Sequence, residues 1–164
     1  MVTSIKELTR YGFTGFKTVS ELRNNLAVLP KQKGVYIVIN PLPGSKNFLT
    51  KGTGGHFKGK DPNVFVEELN AKWVMNSPVV YIGQAGGGSS AATLQKRIKQ
   101  YLDFGNGKAI GHYGGRFIWQ ISHNKDLIIA WKTLDNENPS VVETELLTSF
   151  RRHYNALPFA NLRM

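Results

Sequence analysis

Two phenols, a guanidinium and a carboxylate stand in this sequence where folding alone rarely puts them. In Thr93-Leu94-Gln95-Lys96-Arg97-Ile98-Lys99-Gln100-Tyr101-Leu102, the apolar residues Leu94, Ile98, Tyr101 and Leu102 share one helical face. Lys96 and Lys99 lie opposite, and Arg97 lies at the border of the apolar stripe. It either lays its stem along the core edge or aims its planar fork of donors at a phosphate. In residues 140–154, Val142, Leu146, Leu147, Phe150 and Tyr154 define a second apolar face. At about 100° per residue, Glu143 falls in the middle of that face. A carboxylate there needs a partner. The partner is either a structural salt bridge, for example to Arg97, or a divalent metal. Glu145 falls on the far side near Arg152 and reads as a surface charge.

The phenols belong to two aliphatic segments, Gly34-Val35-Tyr36-Ile37-Val38-Ile39 and Val79-Val80-Tyr81-Ile82-Gly83. Side chains alternate along a strand. Val35, Ile37 and Ile39 therefore point one way, and Tyr36 the other, beside Gly34. Val80 and Ile82 share a face, and Tyr81 shares the opposite one with Gly83. Paired with their aliphatic faces together, the strands put both phenols on one face among residues too small to cover them. That predicts a polar, accessible floor on an apolar sheet.

The elements that must position these groups are legible in outline. Residues 1–33 read as a lead-in with one short helix, capped by Thr18 or Ser20 and closed by Pro30. Residues 41–77 read as an insertion between the tyrosine strands. It opens as a long Gly-, Pro-, Lys- and Asn-rich loop and ends in a helix over NVFVEELNAKWV. Lys51, Lys58 and Lys60 make it basic. A helix follows over about residues 91–104. Residues 105–116, GNGKAIGHYGGR, form a second basic glycine-rich loop. FIWQI is ambiguous, and LIIAWKTL reads as a strand. Asn138-Pro139-Ser140 starts a final helix over 140–154. The order strand, insertion, strand, helix, strand, helix predicts an α/β domain around a small sheet.

Bulk properties narrow the function. The chain of 164 residues is 41% hydrophobic, which suits a single domain with its own core. No apolar run approaches the about 18 residues of a membrane span. The first residues lack an apolar secretory region, and the cytoplasm is the expected location. With no cysteine, disulfides and thiolate zinc sites are excluded. The net charge of +10, from 21 basic and 11 acidic residues, points to an anionic partner, most simply nucleic acid.

Other motifs carry less. Gly83-Gln84-Ala85-Gly86-Gly87-Gly88-Ser89-Ser90 has the composition of a phosphate loop between strand and helix. It lacks a lysine followed by serine or threonine at the helix start, which argues against nucleotide hydrolysis and for a flexible turn near a nucleic-acid backbone. His112 lies in the basic glycine loop with Lys108 and Arg116, as a phosphate contact or a plain loop residue. His123 has no metal-type spacing. Trp119 and Trp131 read as core.

Taken in order, Gly34-Val35-Tyr36, Tyr81-Ile82-Gly83, Arg97 on a helix, Glu143 on a later helix and a terminal asparagine resemble the GIY-YIG endonuclease family. The resemblance covers residues 34–161. TLQKRIKQYL resembles the arginine helix of the family's excision-repair nucleases. PFANLR and GHYGGRFIWQ are similar to segments of small bacterial members.

The resemblance implies a three-stranded antiparallel central sheet flanked by helices, and hydrolysis of DNA phosphodiesters with one divalent metal, Mg²⁺ or Mn²⁺; RNA is not excluded. Carried over, Glu143 holds the metal and Arg97 binds the scissile phosphate. Tyr36 helps deprotonate the attacking water, and Tyr81 orients water or phosphate. Tyr101, where some members carry histidine, shares the proton work. A tyrosine with pKa about 10 needs a nearby cation to act as a base. Gly83, Gln84, Lys108, His112, Arg116 and an asparagine are the expected nucleic-acid contacts. Three departures stand out. The 41–77 insertion lengthens the spacing between the tyrosine strands. Gln84 replaces a frequent lysine. Asn155 fits the asparagine by its distance from Glu143, while Asn161 fits through Pro158, with Asn161 favoured. The alternatives are a non-cleaving nucleic-acid-binding module of the same fold and a partner-binding subunit. Targeting would come from the insertion, the 105–116 loop, a homodimer or a protein partner.

Overall fold

The computed structural model describes residues 4–164. Among the described residues, four of the five α-helices start where a side chain satisfies a free amide of the first turn. Ser4 caps α1 (Ile5–Arg10) by accepting from Glu7 N at 3.2 Å. Thr18 and Glu21 cap α2 (Val19–Asn24) reciprocally, which decides between the two expected caps. Thr93 caps α4 (Leu94–Gly105), and Asn138 with Pro139 at the first position opens α5 (Pro139–Tyr154). In the insertion, α3 is confined to Val66–Lys72, shorter than the sequence suggested. The first four residues of FIWQI belong to a 3₁₀ helix over Arg116–Gln120, and Ile121, its extended C-cap, bridges to Phe48.

The sheet has four antiparallel strands, not three: β1 (Thr14–Thr18), β2 (Gly34–Ile39), β3 (Val79–Ala85) and β4 (Ile128–Thr133), in the order β1-β4-β2-β3. The extra strand comes from the expected lead-in. Its TGFKT sequence hides it, because Gly15 and Phe16 both have positive φ and interrupt the pairing with β4. The described part of the lead-in therefore holds two α-helices, a 3₁₀ helix at Leu26–Val28 and an edge strand.

The first tyrosine strand, β2, is central, and Tyr36 lies between Gly83 on β3 and Trp131 on β4. Helix α5 covers one face, where Leu147 and Phe150 pack with Val35, Ile37 and Ile82. The phenol face is covered as well. There Tyr36 and Tyr81 pack with Leu94, Ile98 and Tyr101 of α4 and with Trp119. The accessible floor expected from alternation is absent: Tyr36 is 0% exposed and Tyr81 8%. Val80 and Ile82 also part company. Val38 pairs with Tyr81 and Ile39 with Val79, so Val80 is an extra, bulged residue. It joins the phenol-side core, while Ile82 stays on the α5 side.

The glycine of the second tyrosine strand is explained by the same packing. A Cβ on Gly83 would stand 2.6 Å from Tyr36 Cζ and 2.8 Å from its hydroxyl. The clearance serves the phenol across the strand pair, not an incoming backbone. Gly83→Ala should cost about 1–3 kcal/mol through overpacking, read as a lower denaturant midpoint. Gly44→Ala, whose added carbon meets nothing within 4 Å, should change stability by less than about 0.5 kcal/mol.

Candidate active site

Helices from opposite faces of the sheet meet beside the outer edge of β3, around a concave pocket of about 540 Å³. Arg97 reaches it from α4 and Glu143 from α5, with Tyr81 and Gln84 of β3 between them. His112 and Arg116 close a further side. The site therefore lies at a sheet edge, not on a sheet face.

The edge itself is held by the C-terminal segment. Asn161 accepts from Ile82 N at 2.9 Å and donates from Nδ2 to Ile82 O at 2.8 Å. Ala160 N donates to Val80 O at 2.8 Å. A side-chain amide thus does what a neighbouring strand would do for the open edge of β3. This favours Asn161 over Asn155 as the asparagine tied to the tyrosine strand. Its polar atoms are engaged with backbone, so it positions the strand, and the residue itself lines the pocket. Asn155 is instead the left-handed C-cap of α5, with φ 52°. It lies 12 residues after Glu143 along that helix, about 18 Å at 1.5 Å per residue.

Glu143 is half-buried, and burial raises its pKa, an effect that the nearby Arg97 charge opposes. Among the described residues, no ion pair engages either side chain. The structural salt bridge that would make both groups unremarkable is not formed. An unpaired carboxylate facing an unpaired guanidinium leaves room between them for a ligand with both an anionic and a cationic part. Among the described residues, no group of three or more histidine, cysteine or acidic side chains is placed to hold a metal. A hard cation at Glu143 would draw its other ligands from water and phosphate, which is how Mg²⁺ is usually held. The donor set fits such an ion.

The tyrosines are less available than expected. Tyr36 does not line the pocket, and its hydroxyl is buried without a hydrogen-bond partner. Burial first, then the adjacent Tyr81, push its pKa well above the ordinary value. Tyr81 does line the pocket; burial and Glu143 raise its pKa as well. Tyr101 is enclosed, and its hydroxyl donates to Gly115 O at 3.2 Å. That bond anchors the glycine loop. Gly115 has φ 75°, and a Cβ there would come within 2.9 Å of the Tyr81 ring, so both conformation and space require glycine.

Of the expected nucleic-acid contacts, Gln84, His112, Arg116 and Asn161 line the pocket. Gly83 does not, being covered by Tyr36. Lys108 also lies outside it, bound to Asp103 at 2.8 Å. Arg116 stacks its guanidinium 4.1 Å from the Tyr113 ring centroid. Tyr113 and Arg163 complete the rim and were missed from sequence, although Tyr113 stands three residues before Arg116 in the basic loop. The insertion is not remote: Tyr113 Oη donates to Asp61 O at 3.1 Å, and Gly55 N to Phe104 O at 2.9 Å.

Comparison with family models, with curated proteins and with solved structures found no match to this chain.

Four outcomes follow from this geometry. Because the folded-state pKa of Glu143 is raised, its ionised form opposes folding above that pKa, and the penalty vanishes below the ordinary glutamate value. Glu143→Gln should raise Tm by about 1–3 °C at neutral pH, with the difference closing on acidification. Mg²⁺ should raise the Tm of the wild-type protein more than that of this variant. Asn161→Ala should cost about 1–3 kcal/mol for the two lost bonds, whereas Asn155→Gly, at a left-handed position, should be neutral or stabilising by urea denaturation.

Proposed function

We propose that this pocket hydrolyses phosphodiester bonds of DNA, with RNA as a possible substrate, in the manner of the GIY-YIG endonucleases that the sequence resembles. The supporting observation is the pair Arg97 and Glu143, brought from opposite sheet faces to one pocket with neither consumed by an ion pair. The other three strands, with the first tyrosine strand central, fit the three-stranded sheet that the resemblance implies; β1 is an addition.

In this reading, Arg97 grips the non-bridging oxygens of the scissile phosphate with two parallel donors. As charge builds on those oxygens, the same donors strengthen their hold, which lowers the barrier. Glu143 would hold one Mg²⁺ or Mn²⁺, which when bound acts as a Lewis acid on the phosphoryl group. Tyr81 orients the phosphate or water from the strand. Arg116 and Arg163 add positive charge at the rim, in keeping with a net charge of +10. Among the described residues, no helix is long and apolar enough to cross a membrane.

The test is cleavage of supercoiled and branched DNA with Mg²⁺ or Mn²⁺. Glu143→Ala should abolish cutting by at least about 100-fold while retaining DNA binding. Arg97→Ala should lose a similar factor in kcat and also weaken binding. Wild-type binding without cutting would favour the non-cleaving module. Equal cutting by Glu143→Ala would place the chemistry elsewhere.

A further inference from the structure

One basic turn of the insertion stands against the pocket wall, and the proposed chemistry does not account for it. Residues 57–61, Phe57-Lys58-Gly59-Lys60-Asp61, are fastened to that wall at both ends. At one end the Phe57 ring lies against Gly111, where a Cβ would stand 3.3 Å from Phe57 Cζ. At the other, Tyr113 Oη donates to Asp61 O at 3.1 Å. Gly111 and Tyr113 both line the pocket. Lys58 folds back on the Phe57 ring, with Nζ 5.4 Å from its centroid.

The charge of this turn is not neutralised. Lys58 and Lys60 are exposed, and among the described residues no ion pair engages either. Asp61, the adjoining carboxylate, is committed elsewhere. It accepts from Asn63 N at 2.8 Å and from Asn63 Nδ2 at 2.7 Å, and lies 3.6 Å from His56 Nε2. Lys58 also holds φ 52° and ψ 38°, a left-handed conformation that disfavours a side chain. Gly59 follows with φ 71°, and a Cβ there would meet nothing within 4 Å, so the turn stands clear of its surroundings. A lysine in such a place is a local cost to folding, and costs of that kind gather where ligands are held.

We propose that this turn grips the backbone of the nucleic-acid substrate, with Lys58 and Lys60 each holding a phosphate beyond the scissile one. The inference rests on the phosphodiesterase reading above. It adds the substrate class: a polynucleotide that continues across the rim, and not a single phosphodiester. Neither lysine lines the pocket, so the reacting phosphate inside is left to the planar fork of Arg97. Lysine is a compact point charge on a flexible stem, which neutralises a phosphate without reading a base. The grip is therefore indifferent to sequence, and each contact releases counterions.

The experiment measures binding of two DNA duplexes of equal length and unrelated sequence over a range of salt, without metal so that they stay intact. Each variant is checked by thermal melting. Lys58→Gln combined with Lys60→Gln should bind both duplexes about tenfold more weakly at low salt, with the slope of log affinity against log salt shallower by about 1.8. KM for plasmid cleavage with Mg²⁺ should rise by about the same factor. Lys6→Gln combined with Lys125→Gln removes the same charge from exposed positions outside the insertion, and should change the slope by less than about 0.5. Lys58→Gly should melt at or above the wild-type temperature yet bind about threefold more weakly. A merely structural lysine would not separate those two readouts. Phosphatidylserine vesicles serve as the competing anionic surface. The proposal is overturned if the Lys58 and Lys60 variant binds DNA like wild type, including the case in which only vesicle binding falls. It is also overturned if the Lys6 and Lys125 variant loses as much, if the loss is confined to one sequence, or if the wild-type protein binds neither duplex. Binding without cutting by the wild-type protein overturns the phosphodiesterase reading, and the salt slopes still decide the grip.

Discussion

The open edge of β3 is the constraint on which the rest of the structure depends. A strand at a sheet edge offers unpaired amides and carbonyls that must be satisfied or guarded. Here the C-terminal segment does this with one amide side chain, Asn161, on both backbone groups of Ile82. Tyr81 and Gln84 flank that point on the same strand and line the pocket. The edge is thus pinned where the segment docks and turned toward the cavity beside it. Because α4 packs on one face and α5 on the other, side chains from both helices meet beside this edge.

That geometry changes the meaning of the tyrosine strands. Alternation correctly separates Tyr36 from Val35 and Ile37, and the two sets enter different core clusters. It cannot show what lies above the phenols. Tyr101 and Trp119 close over Tyr36 and Tyr81, with ring centroids 5.4 Å apart for Tyr81 and Tyr101. Trp119 comes from a 3₁₀ helix whose short, mixed sequence gives no clear period. The bulge at Val80 is likewise invisible, since one extra residue reverses a face without changing composition. The first strand, β1, is hidden by its glycine and positive-φ phenylalanine. What was legible was helix geometry. The positions of Arg97 and Glu143 relative to their apolar stripes foretold two half-buried charged groups, and both line the pocket. Spacing could not tell whether they would neutralise one another.

They do not, and the electrostatics of the pocket follow from that. Arg97 acts on Glu143, Tyr36, Tyr81 and His112 alike, opposing the rise of the acids and lowering the imidazole. Burial is the larger cause for each group, and this one guanidinium acts on all four. Around it, the insertion and the 105–116 loop form one packed rim: Phe57 lies against Gly111, and Tyr113 reaches Asp61. The lysines of the insertion are carried on a surface continuous with the loop that bears His112 and Arg116. The insertion and the loop anchored by Tyr101 are in this way packed as one unit.

The most direct measurement is anomalous diffraction from crystals of the protein soaked with Mn²⁺ and a non-hydrolysable phosphodiester. The proposed function requires one anomalous peak bonded to the Glu143 carboxylate, with a phosphate oxygen between it and the Arg97 guanidinium. A peak bonded elsewhere, or Glu143 and Arg97 closed on each other with the phosphodiester outside the pocket, would contradict it.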